Sequence, residues 1–298
     1  MIKLSVVLVN FNTRPFILKC IDSIFINNPN DDIEIIIVDN NSQDDSVSAI
    51  QSNYPHIKLI KNPSNVGYAK AINQGIKIAK GQYILLLNPD TIVFPDTLNA
   101  AINFMDKNLR VGVVTCKVEL EDGKIDPACH RGFPTPWASF CYFIGLERLF
   151  PKSRLFGRYH LGWLPLDTIH EIDTPSGCFY LIRKSVIDEV GLLDENYFLF
   201  YEEVDWSYRI KQKGWKIYFL PEVKILHYKG VSSGIKKTSQ QITTASTEIK
   251  RLAINAFCNS MKIFYNKYYK SKYSILRDLI FYIGVEIKRF ISLLRLSV

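Results

Sequence analysis

Apolar residues along this chain come in short, nearly unbroken runs that alternate with stretches of helical spacing. Residues 4–9 (Leu-Ser-Val-Val-Leu-Val) form the first run, the pattern of a strand buried on both faces of a parallel sheet. Phe16, Ile17, Cys20, Ile21 and Ile24 then recur at three- and four-residue intervals and predict a helix over 14–26. A second buried strand covers 33–38, a polar turn and helix lead to about Tyr54, and 57–60 is a short third strand. Ala69, Ile72, Ile76 and Ala79 set a helix over 68–79. A strand at 83–87, a helix over about 95–105 and a strand at 111–115 continue the series. This order predicts an α/β fold: a mostly parallel central sheet flanked by helices. Ligands on such sheets bind beyond the carboxyl ends of the strands.

Residues 116–175 lose the regularity and carry Pro127, Pro134, Pro136, Pro151 and Pro165, so they predict loops and short helices over the sheet edge. Strand or helix character returns at 178–182, 184–190, 197–201, 204–213 and 215–220, with a short strand at 223–226. From about Thr247 the chain reads as two helices separated near 270–273. The domain reading is 1–235 as the α/β domain and 236–298 as a basic, amphipathic helical extension.

Charge sharpens that division. Residues 1–228 carry 24 Lys+Arg against 26 Asp+Glu, net −2, whereas 229–298 carry 13 against 3, net +10. A tail of this kind suits an anionic surface. Leu276, Leu279, Ile280, Ile283, Ile287 and Phe290 fall on one helical face there, with basic residues elsewhere. That pattern fits a helix lying on an anionic membrane, or one packed on the domain or on a second copy in a homodimer. Nucleic acid is not expected as a partner, since the tail lacks a recognised motif and the main region is slightly acidic. Six scattered cysteines without a C-x-x-C pair argue against a zinc site or disulfide framework and suit a reducing compartment. No stretch approaches the ~20 apolar residues of a spanning helix. The expected location is cytoplasmic, peripheral on the inner face of the cytoplasmic membrane.

The candidate chemistry lies at the predicted strand ends. Asn10-Phe11-Asn12, Asp39-Asn40-Asn41-Ser42 and Asn88-Pro89-Asp90 put short polar side chains on one rim. Asp39 suits the imide N–H of a pyrimidine, and Asp90 suits a hard cation that would neutralise a diphosphate. Such residues also simply end strands and start turns. Asn65-Val66-Gly67, with Lys70 in the following helix, is a helix start that backbone N–H groups could open to an anion. Tyr201-Glu202-Glu203-Val204-Asp205-Trp206, between an expected strand and a helix, offers a base for a hydroxyl proton. Acids there also serve as helix-terminal charges, and Asp205 can pair with Arg209 four residues on. His227 is a candidate metal ligand or a structural histidine.

Seven motifs in one order resemble the family 2 glycosyltransferases of GT-A fold, over about residues 4–233. They are Val9-Asn10-Phe11-Asn12, Val38-Asp39-Asn40-Asn41-Ser42, Asn65-x-Gly67-x-Ala69, Leu87-Asn88-Pro89-Asp90, Ser176-Gly177-Cys178-Phe179, Phe200-Tyr201-Glu202-Glu203-Val204-Asp205-Trp206 and His227-Tyr228-Lys229-Gly230. The Asn-Pro-Asp form and Arg131-Gly132-Phe133-Pro134-Thr135 look most like rhamnosyltransferases of bacterial surface-polysaccharide assembly. The resemblance implies an inverting transferase using Mg²⁺ or Mn²⁺ and a nucleotide-diphosphate sugar, dTDP-rhamnose. The acceptor would be a hydroxyl of a glycan or polyprenyl-linked molecule. It implies donor binding by Asn10, Asn12, Asp39, Asn41, Asn65, Gly67, Lys70, Asn88 and Asp90, and metal binding by Asp90 with His227. Glu203 takes the catalytic position with Glu202 beside it, and Arg131, Gly177, Asp205 and Trp206 lie on the acceptor side. The usual D-x-D is here Asn88-x-Asp90, and the usual Glu-Asp is Glu-Glu. The alternatives are a UDP-sugar transferase (galactofuranose, glucose or N-acetylglucosamine) and an inactive sugar-nucleotide-binding scaffold.

Overall fold

The computed structural model describes residues 2–27, 32–235 and 242–296, and its strands form one nine-stranded sheet. Strands β1 (Leu4–Asn10), β2 (Ile33–Asp39), β3 (Lys58–Lys61) and β4 (Tyr83–Leu87) lie in the order β3-β2-β1-β4, all parallel. Every residue of β1 and β4 is buried, which is why their sequences show no alternation. Helices α1 (Arg14–Asn27), α2 (Ser46–Asn53) and α3 (Tyr68–Ile78) connect them, and α3 buries Ala69, Ile72 and Ile76.

Beyond β4 the sheet changes character. Strand β8 (Phe179–Arg183) inserts antiparallel between β4 and β6 (Val111–Glu119). Strand β9 (Lys216–His227) runs parallel to β6, while β5 (Thr91–Val93) and β7 (His170–Glu171) pair antiparallel with β9. The sheet therefore keeps its parallel ladders in β1–β4 and between β6 and β9, with β5, β7 and β8 added antiparallel. A fully buried strand reads as the same apolar run in either direction, so direction was not legible in the pattern. The strands expected at 215–220 and 223–226 are one strand, with a register shift that takes up Pro221 between Leu220 and Lys224. Residues 197–201, expected as regular structure, form a turn instead. Phe200 and Tyr201 both adopt left-handed backbone, φ 68° and 71°, and lead into α8 (Glu202–Gln212).

The irregular region holds α5 (Pro136–Phe143) and α6 (Leu146–Leu149); α4 (Thr97–Lys107) and α7 (Lys184–Val190) complete the α/β part. The C-terminal pair is α9 (Thr247–Tyr268) and α10 (Ile275–Leu294). A second apolar cluster joins Tyr197, Tyr201 and Val204 to Cys258, Met261 and Phe264 of α9, so α9 packs directly on the turn that precedes α8. Helix α10 folds back along α9: the rings of Tyr265 and Phe281 stack 3.8 Å apart, and Lys262 pairs with Glu286. Among the described residues no helix is long and apolar enough to cross a membrane.

Candidate active site

The ends of β1 and β2 meet in a buried polar network. Asn10 Nδ2 donates to Asp39 Oδ1 (2.6 Å), Ser46 Oγ (2.7 Å) and Ser42 Oγ (2.9 Å), and the Ser42 amide donates to Asp39 Oδ2 (3.0 Å). Asn12 and Asn41 take left-handed backbone, φ 54° and 68°, which asparagine tolerates better than most residues. Asn12 Oδ1 accepts from the Gln43 amide at 2.7 Å, tying the two loops together. Asn40 then reaches Gly67 O and Asn65 Oδ1, both at 3.3 Å, so the second strand end holds the start of α3.

Gly67 was expected to open that helix start to an anion. Its φ of 88° favours glycine, and a Cβ there would sit 2.7 Å from the Phe198 carbonyl oxygen. The next amide, Tyr68 N–H, donates to the same carbonyl at 2.7 Å. This glycine therefore seats the turn before α8 against α3. Lys70 is exposed and does not line the cavity described below.

On the same rim, Asp90 follows β4, which runs parallel beside β1, and His227 ends β9. The β5–β9 register sets Thr91 across from His227, and this brings Asp90 Oδ1 to 3.2 Å from His227 Nε2. Asn88 Nδ2 lies 3.4 Å from the same ring nitrogen. Burial alone would push the imidazole pKa down, but the Asp90 carboxylate, with Cys178 adding to it, outweighs burial and holds it at about 10. Asp90 resists burial in turn and stays below the usual carboxylate range because of His227. A buried carboxylate facing a buried imidazole is a fitting donor pair for a divalent ion, which would displace the ring proton. Among the described residues no group of three or more His, Cys, Asp or Glu stands where it could hold a metal ion.

Glu202 and Glu203 open α8, directly after the two left-handed aromatics. Such backbone costs about 1–3 kcal/mol per residue unless its surroundings enforce it. Here Ser260 of α9 donates to Leu199 O at 3.1 Å, and Phe257 and Phe264 pack edge-on or tilted against Tyr201. Glu203 Oε1 accepts from Arg131 Nη2 at 2.9 Å, and the same guanidinium nitrogen donates to Pro175 O at 2.7 Å. The Oε2 atoms of both glutamates are buried without a partner. Burial, then the charge of Glu203, push the Glu202 pKa well above its ordinary value. Gly177 faces Glu203, where a Cβ would make ordinary contact at 3.9 Å. The Tyr68 hydroxyl is also buried and unpartnered, with both glutamates and Asp90 as electrostatic neighbours.

Two residues expected on the acceptor side turn away from it. Asp205 is fully buried and accepts from Lys267 Nζ (2.7 Å), Tyr268 OH (2.7 Å) and Arg209 Nε (2.9 Å). Trp206, also fully buried, stacks on Tyr180 and donates to Gly191 O at 2.8 Å. Asp205 and Trp206 stand three and four places after Glu202, on the same face of α8 one turn on, and there they anchor the helix to Lys267, Tyr268, Tyr180 and Gly191 instead of lining the cavity. Arg131 reaches the acid pair but does not line the cavity.

One cavity of about 260 Å³ brings the facing parts together. Asn65, Asn88, Asp90 and His227 line one part and Gly177, Glu202 and Glu203 another. Asn10, Asn12, Asp39 and Asn41 do not line it: Asn10, Asn12 and Asp39 belong to the network beside it, and Asn41 is exposed with Gln43 as its partner. The sequence reading left out Tyr68, Cys178, Phe198 and Lys229, and the wall formed by Ile249 and Leu252 of α9. Tyr68, Cys178 and Lys229 sit inside the motifs quoted above and were available from them; nothing in the α9 sequence announced its place.

The sequence model for glycosyl transferase family 2 matches residues 5–191. The chain belongs to that family. It is similar to the N-acetylglucosaminyl-diphospho-decaprenol L-rhamnosyltransferase of Mycobacterium tuberculosis, 26% identical over 230 residues that cover 68% of each chain. It is also similar to rhamnosyltransferase WbbL of Escherichia coli K12, 23% identical across 75% of this chain and 82% of that one. Among solved structures, GalNAc-T7 with UDP, GalNAc and Mn²⁺ shares the fold, with a TM-score of 0.57 and 18% identity. That match covers 76% of this chain and 44% of the GalNAc-T7 chain. This family 2 chain is thus a GT-A-type glycosyltransferase whose named relatives include rhamnosyltransferases at low identity.

Proposed function

We propose that this family 2 chain is an inverting, metal-dependent rhamnosyltransferase. It would move L-rhamnose from dTDP-rhamnose to a hydroxyl of a glycan or polyprenyl-linked acceptor. One observation carries the reading: two glutamates with unpartnered buried oxygens share a cavity with the Asp90–His227 pair. The rhamnosyltransferase names of two relatives support the sugar, and the Mn²⁺ in the GalNAc-T7 structure supports the ion.

In this mechanism the network of Asn10, Asn12 and Asp39 borders the base pocket with Asn41 at its exposed edge, and Asp39, whose oxygens already accept from Asn10 and the Ser42 amide, would take the pyrimidine imide on a remaining lone pair. Asn65, Gly67 and Asn88 border the diphosphate, with Lys70 outside. Asp90 and His227 would hold Mg²⁺ or Mn²⁺, which supplies charge neutralisation for the departing diphosphate. The acceptor oxygen forms its bond to the anomeric carbon from the face opposite the leaving group, whose C–O bond breaks with its electron pair. Glu203 takes the hydroxyl proton on Oε2, while Arg131 fixes its other oxygen. Glu202 stays neutral beside it. Residues 1–235 carry the chemistry, and the extension from 236 supplies the wall that α9 provides.

Thermal unfolding with dTDP, UDP and GDP, each with and without Mn²⁺, tests the donor. A ligand at 100 times its Kd adds ~2.7 kcal/mol. A Mn²⁺-dependent rise in Tm with dTDP alone is the expected result; a preference for UDP replaces the donor, and no rise with any nucleotide overturns the reading. Glu203→Gln should lower turnover roughly 10²–10⁴-fold while the nucleotide shift persists. Full turnover in that variant removes Glu203 as the base.

A further inference from the structure

The region 136–158 and helix α10 are far apart in sequence, yet they meet in space. Lys288 of α10 lies with its Nζ 4.8 Å from the centre of the Phe143 ring in α5. Pro136 and Ser139 at the start of α5 border a small crevice together with Met261 and Tyr265 of α9 and Phe281 of α10. Both segments leave their apolar side chains open. In α5, α6 and the loop that follows, Phe140, Phe143, Ile144, Leu149 and Leu155 are 46–71% exposed. In α10, Leu276, Ile280, Ile283, Ile287 and Phe290 are 49–66% exposed, and Val285 is its one buried residue.

Charge decides what such a face accepts. The exposed ionic residues of 136–158 are Arg148, Lys152, Arg154 and Arg158; the one acid, Glu147, is buried against His160. Around α10 stand exposed Lys270, Lys272, Arg277 and Arg295. Its two acids are engaged, Asp278 with Tyr265 OH and Glu286 with Lys262. Two copies joined through this face would bring like charges together. An anionic lipid surface instead takes the apolar side chains among its acyl chains and the cations at its headgroups.

We propose that α5–α6 and α10 form one composite face that docks the enzyme on an anionic bilayer. Helix α9 links this face to the site: Ile249 and Leu252 line the cavity, and residues 259–266 of the same helix carry α10. The inference deepens the polyprenyl-acceptor reading above, but its test does not depend on it.

The test is flotation of the full-length protein with vesicles of phosphatidylcholine alone or with 30% phosphatidylglycerol. Three variants accompany the native chain: Ile144→Glu with Leu149→Glu, Ile280→Glu with Ile287→Glu, and Arg148→Gln with Lys152→Gln. All six positions are exposed, so the fold should persist, and an unchanged nucleotide-induced Tm shift checks this. The expected result is binding to the anionic vesicles only, lowered at least tenfold by each glutamate pair. Loss of two cations should weaken it about 25-fold, at ~1 kcal/mol each. Flotation unaffected by the α5–α6 pair overturns the composite face, and no flotation of the native chain overturns lipid as the occupant. Light scattering that shows a dimer broken by the same glutamate pairs assigns the face to a second copy and also overturns the proposal.

Discussion

The two sides of the cavity are built differently. At the ends of β1 and β2, Asn10, Asp39, Ser42 and Ser46 sit on or just beyond neighbouring parallel strands and bond to one another. Across the cavity, Glu202 and Glu203 depend on partners from distant parts of the chain. Arg131 comes from the irregular region, Phe198 is seated on Gly67, and α9 clamps the left-handed turn through Ser260, Phe257 and Phe264. The first side is a property of adjacent strand ends. The second is assembled, and its geometry is as good as the packing of several separate elements.

The sharpest way to break the comparison is to remove the distant partner of the acid pair. Arg131→Ala leaves Glu203 buried beside Glu202 with no cation, and breaking a buried pair in this way costs about 3–5 kcal/mol. Chemical denaturation should show that loss, and turnover should fall with it; a loss below 1 kcal/mol would mean that the acids do not lean on Arg131. A smaller effect is expected from the other side. Asn10→Ala strips Asp39 Oδ1 and Ser46 Oγ of a buried donor, at about 1–3 kcal/mol. It should weaken the dTDP-induced Tm shift, whereas an unchanged shift would separate the network from nucleotide binding.

The smallest effect is one of pH. Glu202 is held above its ordinary pKa, so the folded state binds a proton that the unfolded state has released. Its contribution is fully present below about pH 4.3, the unfolded value, and is lost as pH rises toward the folded pKa. Glu202→Gln keeps the neutral shape and removes that loss. The variant should therefore gain Tm over the native chain, and the gap should widen from pH 5 to pH 8. A gap that stays constant over that range would mean that Glu202 is not held neutral.

Several features were legible from residue order alone. The first four strands and three helices announced themselves by unbroken apolar runs and by helical spacing, because β1 and β4 are buried on both faces and α3 on one. Polar residues at the strand ends marked the rim, since the carboxyl edge of parallel strands is set by chain direction. The acid pair at a helix start was visible for the same local reason. What the sequence could not carry was pairing and direction. A buried apolar strand such as β8 reads alike whether parallel or antiparallel. Asp205 and Trp206 resemble their catalytic-looking neighbours until three dimensions turn them inward onto Lys267, Tyr268 and Tyr180. Likewise, the ion pair of Arg131 with Glu203, the cavity wall from α9 and the meeting of α5 with α10 join residues tens to more than a hundred positions apart. Local preference is written in short windows of sequence; these contacts exist only once the whole chain has packed, and tertiary structure alone decided them.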